Sequence, residues 1–135
     1  MSAGYSGTPL PKKLGIAPSM TLVALGAPRE YRDWLGELPP GARITSRSSK
    51  PLAAAHVFAR RRAELQIHLD RLRRELTPTG FVWISWPKKS SGVETDITED
   101  TIRELALPLG FVDVKVCAVS DVWSGLKLVI RRSER

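Results

Sequence analysis

Val23-Ala24-Leu25-Gly26-Ala27-Pro28 is the stretch whose reading decides the fold. It reads as the end of a buried first strand, Thr21–Leu25, entering the turn where a nucleotide-binding α/β domain places its glycine loop. That loop carries G-x-G-x-x-G, so that backbone can approach a phosphate or an adenosyl group with no Cβ in the way. Here one glycine is followed by alanine and proline, and Arg29-Glu30-Tyr31 come next. The scaffold of a cofactor-binding domain is present without its glycine signature.

Working outward, strands and helices alternate. On the N-terminal side, residues 1–20 form a strap rich in Gly, Pro, Ser and Lys, with a short helix predicted from a Thr8 cap through Leu14 to Gly15. Beyond the turn come a short helix, Glu30–Leu35, and a weaker strand, Ala42–Thr45, after Pro39-Pro40-Gly41. Ser46–Leu52 is a polar linker and Ala53–Ala59 a buried strand. Leu65, Leu69, Leu72 and Leu76 make one apolar stripe on a helix over Arg61–Leu76. Thr77-Pro78-Thr79-Gly80 reads as a break before Phe81–Trp86, an apolar strand covered on both faces. A polar loop follows, then a helix from Thr98 with Ile102, Leu105, Ala106 and Leu109 inward, ended by Gly110. Two strands finish the chain, Val112–Val119 and Leu126–Arg131. Their short connection requires the last to run antiparallel. The expected fold is α/β: a single three-layer Rossmann-like domain over residues 1–135, with about six strands, mostly parallel.

Composition bounds the function. With 135 residues, 42% of them hydrophobic, the chain can bury roughly two thirds of its unfolded surface as one domain. A lone cysteine, Cys117, makes no internal disulfide and reads as a small buried apolar residue. No His, Cys or carboxylate cluster has metal spacing, and no serine sits in G-x-S-x-G. His56 reads as a core residue, and His68 as the surface partner of Glu64 four residues earlier. Without a signal peptide or an uncharged apolar run of membrane length, the expected location is cytoplasmic. The net charge of +7 favours polyanions as a class. Acids interleave with the arginines of the long helix, so that face reads as salt-bridged and solvated.

The last sixty or so residues resemble the C-terminal half of class I methyltransferases, which use S-adenosylmethionine. The resemblance lies in Leu76–Gly80 before the strand Phe81–Trp86, and in Gly110-Phe111 before a closing hairpin. The whole chain resembles a family of short bacterial proteins of unknown function with a methyltransferase-like fold. The residues that carry it are Gly4-Tyr5-Ser6-Gly7-Thr8-Pro9-Leu10, Lys12–Gly15, Trp86-Pro87-Lys88-Lys89, Thr98-Glu99-Asp100, Val114–Val119 and Trp123–Lys127. That resemblance implies a fold and no activity. Against the full enzymes the chain departs in its glycine loop, in ending the second strand with Thr45-Ser46-Arg47 rather than a ribose-binding acid, and in shrinking the next strand-and-helix unit to Ser46–Leu52. These departures argue against S-adenosylmethionine, and no cofactor is expected.

Ligands of such sheets sit outside the carboxyl ends of the strands. Gly26-Ala27-Pro28, Arg60 and the loop Lys88-Lys89-Ser90-Ser91 are expected to gather there, the last as an anion cradle or simply a solvated loop. Tyr5 is a candidate to stack on a flat ligand, and Trp86 and Trp123 to wall it. The first expectation is a non-catalytic binding module for an anionic small molecule or a protein partner. A second is a nucleic-acid-associated protein with phosphate contacts from Arg60–Arg62, Lys88, Lys89, Arg131 and Arg132. A third is a working methyltransferase with an unusual cofactor loop.

Overall fold

The computed structural model describes residues 7–48 and 50–135. In chain order it runs α1 (Leu10–Leu14), β1 (Thr21–Leu25), α2 (Tyr31–Leu35), β2 (Arg43–Thr45), β3 (Leu52–Phe58), α3 (Arg62–Glu75), β4 (Leu76–Pro87), α4 (Glu99–Ala106), β5 (Phe111–Ala118) and β6 (Trp123–Ile130). One six-stranded sheet has the order β2-β1-β3-β4-β6-β5. Strands β2, β1, β3 and β4 are mutually parallel, and β6 runs antiparallel to both of its neighbours. The expected architecture is therefore present, with the sheet order reversing beside β1.

Each face of the sheet has its own core. On one, Leu65, Leu69 and Leu72 of α3 and Ile102, Leu105 and Ala106 of α4 pack on Val57, Ile84 and Leu126. On the other, Leu10 and Leu14 of α1 and Tyr31 and Leu35 of α2 pack on Leu22, Phe58, Phe81 and Trp83. Trp83 is fully buried, and its indole Nε1 donates to the Leu14 carbonyl at 2.8 Å, fastening α1 to the central strand. A glycine C-cap, Gly15 at φ +82°, ends α1 as expected, and Pro9 stands at its N-cap. Helix α4 begins on a reciprocal cap: Thr98 Oγ1 accepts from Thr101 N at 3.2 Å and Thr101 Oγ1 from Thr98 N at 3.1 Å.

Two local expectations are corrected. Thr77–Gly80 does not separate α3 from the next strand; it lies within β4. The register moves from Leu52↔Leu76 to Ala54↔Phe81, so five steps of β4 face two of β3 and the surplus forms a bulge. Pro78 sits in that bulge, where its missing N–H costs no ladder bond. Trp86 belongs to the core, buried beside Ile97 and Ile84, rather than to a ligand wall.

The crossover after β2 is short because β2 is short. Residues 46–51 reach at most about 20 Å fully extended. With only three residues in β2, that suffices to return to the start of β3. A hydrogen bond from Ser48 Oγ to Glu75 at the end of α3 ties the crossover down. Among the described residues no further strand and helix intervene, and β2 is left as the sheet edge.

Candidate functional site

The register of β1 and β2 makes a step. Thr45, the last residue of β2, lies beside Val23, two residues before β1 ends. Above that step opens a cleft of about 400 Å³. Its apolar wall includes Ala24, Ala27 and Ile44; Thr45 and Ser46 add hydroxyls, and Arg29 and Arg32 add guanidinium groups. Arg32 Nη2 donates to the Ile44 carbonyl at 3.1 Å, bridging α2 to β2 at the rim. Thr45 Oγ1 accepts from the Arg47 N–H at 3.2 Å, which turns the chain away from the edge.

Gly26 forms the ridge beside this cleft. Its φ is +70°, and a Cβ there would lie 2.6 Å from the Phe58 carbonyl oxygen at the end of β3. The glycine is required because the turn rests on β3, at the point where the strand order reverses. On the far side of the ridge lies a second cleft of about 380 Å³, to which Gly26 and Pro28 also contribute. Trp123, Phe58 and Val93 wall it, and Arg60 and Glu64 give it opposite charges. Trp123 meets Phe58 edge to face, with ring centroids 5.1 Å apart.

Beneath both clefts runs a buried chain of polar groups that sequence reasoning did not connect. His56 is fully buried; its Nδ1 lies 2.7 Å from the Tyr31 hydroxyl and its Nε2 2.7 Å from Ser85 Oγ. The register explains the meeting, since His56 pairs with Ala24 and Trp83 while Ser85 stands two pairs further along, opposite Phe58 and on the same face as Trp83. The imidazole also stacks on Phe58 at 4.2 Å. Burial lowers the His56 pKa from 6.5 to about 3 and pushes the Tyr31 phenol well above its usual value. The chain is thus neutral and supports the site from below.

Of the residues singled out from sequence, Gly26, Ala27, Pro28, Arg60 and Trp123 line these two clefts. Lys88, Lys89, Ser90 and Ser91 do not. They form a 3₁₀ turn closed by Ser91 Oγ donating to the Lys88 carbonyl at 2.6 Å, and Lys88 N donates to the Val122 carbonyl at 2.7 Å. Tyr5 lies outside the described residues. Glu64 faces the second cleft, and no ion pair joins it to His68 among the described residues. The loop before α4 holds what sequence inspection missed: Asp96 Oδ1 accepts from Arg62 N at 2.7 Å and so caps α3 from outside that helix.

Arginines account for the salt-bridged face. Arg61 pairs with Glu94, Arg62 with Glu104, Arg71 with Glu75 and Arg131 with Glu134. Arg103 holds Glu99, Asp100 and Asp113 together. Three of the expected phosphate contacts, Arg61, Arg62 and Arg131, are thereby engaged with acids. Among the described residues no group of three His, Cys, Asp or Glu could hold a metal, and no helix is long and apolar enough to cross a membrane.

No family model matches the chain, and no curated protein matches it. Solved structures do. A Sulfolobus solfataricus protein assigned as a type 11 methyltransferase aligns with a TM-score of 0.63 at 14% identity, over 93% of this chain and 92% of its own. An S-adenosylmethionine-dependent methyltransferase of Aquifex aeolicus aligns at 0.62 and 13%, covering 88% and 86%. Aeropyrum pernix fibrillarin, in complex with natively bound S-adenosylmethionine, aligns at 0.61 and 12%, covering 93% and 70%. The chain has a methyltransferase-like Rossmann fold. The expectation of no cofactor is corrected here: the solved structures that align with the chain include an S-adenosylmethionine-dependent methyltransferase and a fibrillarin with natively bound S-adenosylmethionine. A shortened glycine motif was insufficient ground for excluding it.

Proposed function

We propose that this chain binds S-adenosylmethionine in the cleft above β2 and presents it, across the Gly26–Pro28 ridge, to an acceptor in the second cleft. The observation that carries the proposal is the cleft itself. It lies beside the strand-order reversal of a fold shared with S-adenosylmethionine-dependent methyltransferases, between the ends of β1 and β2.

The residues present fit the cofactor in kind. Ala24, Ala27 and Ile44 offer an apolar wall for an adenine ring, and Thr45 and Ser46 offer hydroxyls to a ribose diol. Arg29 and Arg32 offer guanidinium groups to a carboxylate. Among the described residues the lining lacks an acid, so hydroxyl groups replace the carboxylate as ribose partner. Bound there, the cofactor supplies an electrophilic methyl group. The second cleft supplies the rest: Trp123 and Phe58 exclude water from one side, while Arg60 and Glu64 orient a polar acceptor through opposite charges.

The test is thermal unfolding with S-adenosylhomocysteine, on the natural sequence and on Ala27→Trp, which fills the cleft. A ligand at a hundredfold its dissociation constant adds about 2.7 kcal/mol to a folded state that alone binds it. The midpoint of the natural chain is expected to rise by several degrees, and that of the variant to stay fixed. No rise in either chain at millimolar ligand refutes the proposal.

A further inference from the structure

The second cleft holds two opposite charges that do not neutralise each other. Arg60, Arg61 and Arg62 are consecutive, and acids engage the last two: Arg61 Nη2 lies 2.8 Å from Glu94, and Arg62 Nη1 2.9 Å from Glu104. Among the described residues Arg60 makes no ion pair and neither does Glu64, although both line the same cleft.

The local backbone explains why they do not meet. Opposite charges four residues apart pair readily on one helix. Here α3 begins only at Arg62, and Arg61 before it is extended, at φ −120° and ψ 135°. Arg60 therefore lies outside the helix, just past β3, and the two side chains are not stacked turn over turn. The backbone beneath each is fixed. The Arg60 carbonyl accepts from Asp96 N at 3.1 Å and from Thr95 Oγ1 at 2.8 Å. Leu65, next to Glu64, is fully buried.

Apolar and charged linings are also separated. Inward of the pair, Phe58, Ala59, Val93, Val122 and Trp123 form an apolar wall beside the Gly26–Pro28 ridge. Outward, a further space of about 420 Å³ is lined by Arg60, Arg61, Glu64 and Glu94. Arg60 and Glu64 line both spaces and so stand at the mouth between them.

We propose that the second cleft binds a zwitterionic small molecule of the α-amino acid class. Its carboxylate meets Arg60, its ammonium meets Glu64, and an apolar or aromatic side chain lies against Phe58 and Trp123. A lone anion would meet Arg60 but bring like charge to Glu64, and a lone cation the reverse. The inner volume of about 380 Å³ is that of a small-molecule site. The ligand's side chain, rather than its charged end, faces the ridge. Treating this ligand as the acceptor rests on the cofactor reading above; its binding does not.

Three probes share one ring and differ in charge. L-Phenylalanine carries both groups, phenethylamine only the ammonium, and phenylpropionate only the carboxylate. Each is titrated at neutral pH, without cofactor, into the whole chain and followed by the Trp123 indole N–H resonance. Phenylalanine is expected to bind at least about tenfold more tightly than either singly charged probe. Glu64→Gln should weaken phenylalanine and phenethylamine but not phenylpropionate. Arg60→Gln should weaken phenylalanine and phenylpropionate but not phenethylamine. Both side chains are exposed, so neither change threatens the fold. A singly charged probe that binds as tightly as phenylalanine, a variant that affects all three probes alike, or no Trp123 shift with any probe at millimolar concentration overturns the proposal. With no cofactor present, failure here leaves the S-adenosylhomocysteine result standing, and failure of that result leaves this binding standing.

Discussion

Replacing His56 with glutamine tests the buried chain beneath the clefts, because that chain ties stability to pH. The folded imidazole is held neutral by burial, with its pKa lowered from 6.5 to about 3. Between those values the unfolded chain binds a proton that the folded chain does not. The contribution is therefore complete above pH 6.5 and is lost as pH falls towards 3. One proton corresponds to about 1.4 kcal/mol per pH unit, so the window holds up to about 5 kcal/mol. That is comparable to the whole stability of many small domains, about 5–15 kcal/mol. Glu75, held below the usual carboxylate range first by the Ser48 hydrogen bond, also loses stability as pH falls, but equally in both chains. The assay is urea unfolding followed by tryptophan fluorescence from pH 7.5 to 4.5. Glutamine keeps a donor and an acceptor for Tyr31 and Ser85 while losing the stack on Phe58. His56→Gln should be less stable at pH 7.5 by about 2 kcal/mol, within the usual range for a buried polar change. The difference from the natural chain should then narrow by about 1.4 kcal/mol per unit below pH 6.5. Parallel pH profiles, or an imidazole midpoint above pH 5 by NMR, would refute the account.

Two further perturbations probe how the site is held. Gly26→Ala places a Cβ 2.6 Å from the Phe58 carbonyl oxygen at a φ of +70°, so urea unfolding should show a loss of at least about 2 kcal/mol. A loss under 1 kcal/mol would mean that the ridge does not rest on β3. Trp83→Phe removes the 2.8 Å hydrogen bond to the Leu14 carbonyl and should cost about 1–3 kcal/mol. Hydrogen exchange in α1 should then accelerate more than exchange in β4, and a uniform acceleration would count against a local fastening.

What was legible in the sequence was what periodicity and single-residue stops control. The run Thr21–Leu25 is apolar and ends in a glycine with φ +70°, and the strand spans those residues. The leucines at 65, 69 and 72 are fully buried on one face of α3, as their spacing requires. Thr77-Pro78-Thr79-Gly80 misled because its residues are those of a turn. Only the partner strand reveals that the surplus is taken up as a bulge, with Gly80 admitted where a Cβ would stand 2.9 Å from the Ala53 carbonyl oxygen. Polar groups that meet across strands were out of reach for the same reason. Tyr31, His56 and Ser85 are separated by 25 and 29 residues, and nothing local marks them as partners. Asp96, 34 residues from the helix it caps, is another such case.

The cofactor expectation failed on a subtler point, the assumption that a glycine motif has one role. In this fold a glycine after β1 can serve two: letting the turn approach the neighbouring strand, and letting a ligand approach the turn. Gly26 serves the first, since the atom a Cβ would strike belongs to Phe58 of β3. The loss of later glycines therefore bears on how closely backbone can meet a ligand. It does not decide whether a cleft exists. The cleft arises from the three residues of β2, which stop two residues short of β1 and leave a step. The same brevity lets six residues complete the crossover without a further strand. An abbreviated β2 thus goes with two of the departures from the full enzymes, the missing strand-and-helix unit and the terminal Thr45-Ser46-Arg47 without an acid. Neither departure closes the space an adenosyl group would need.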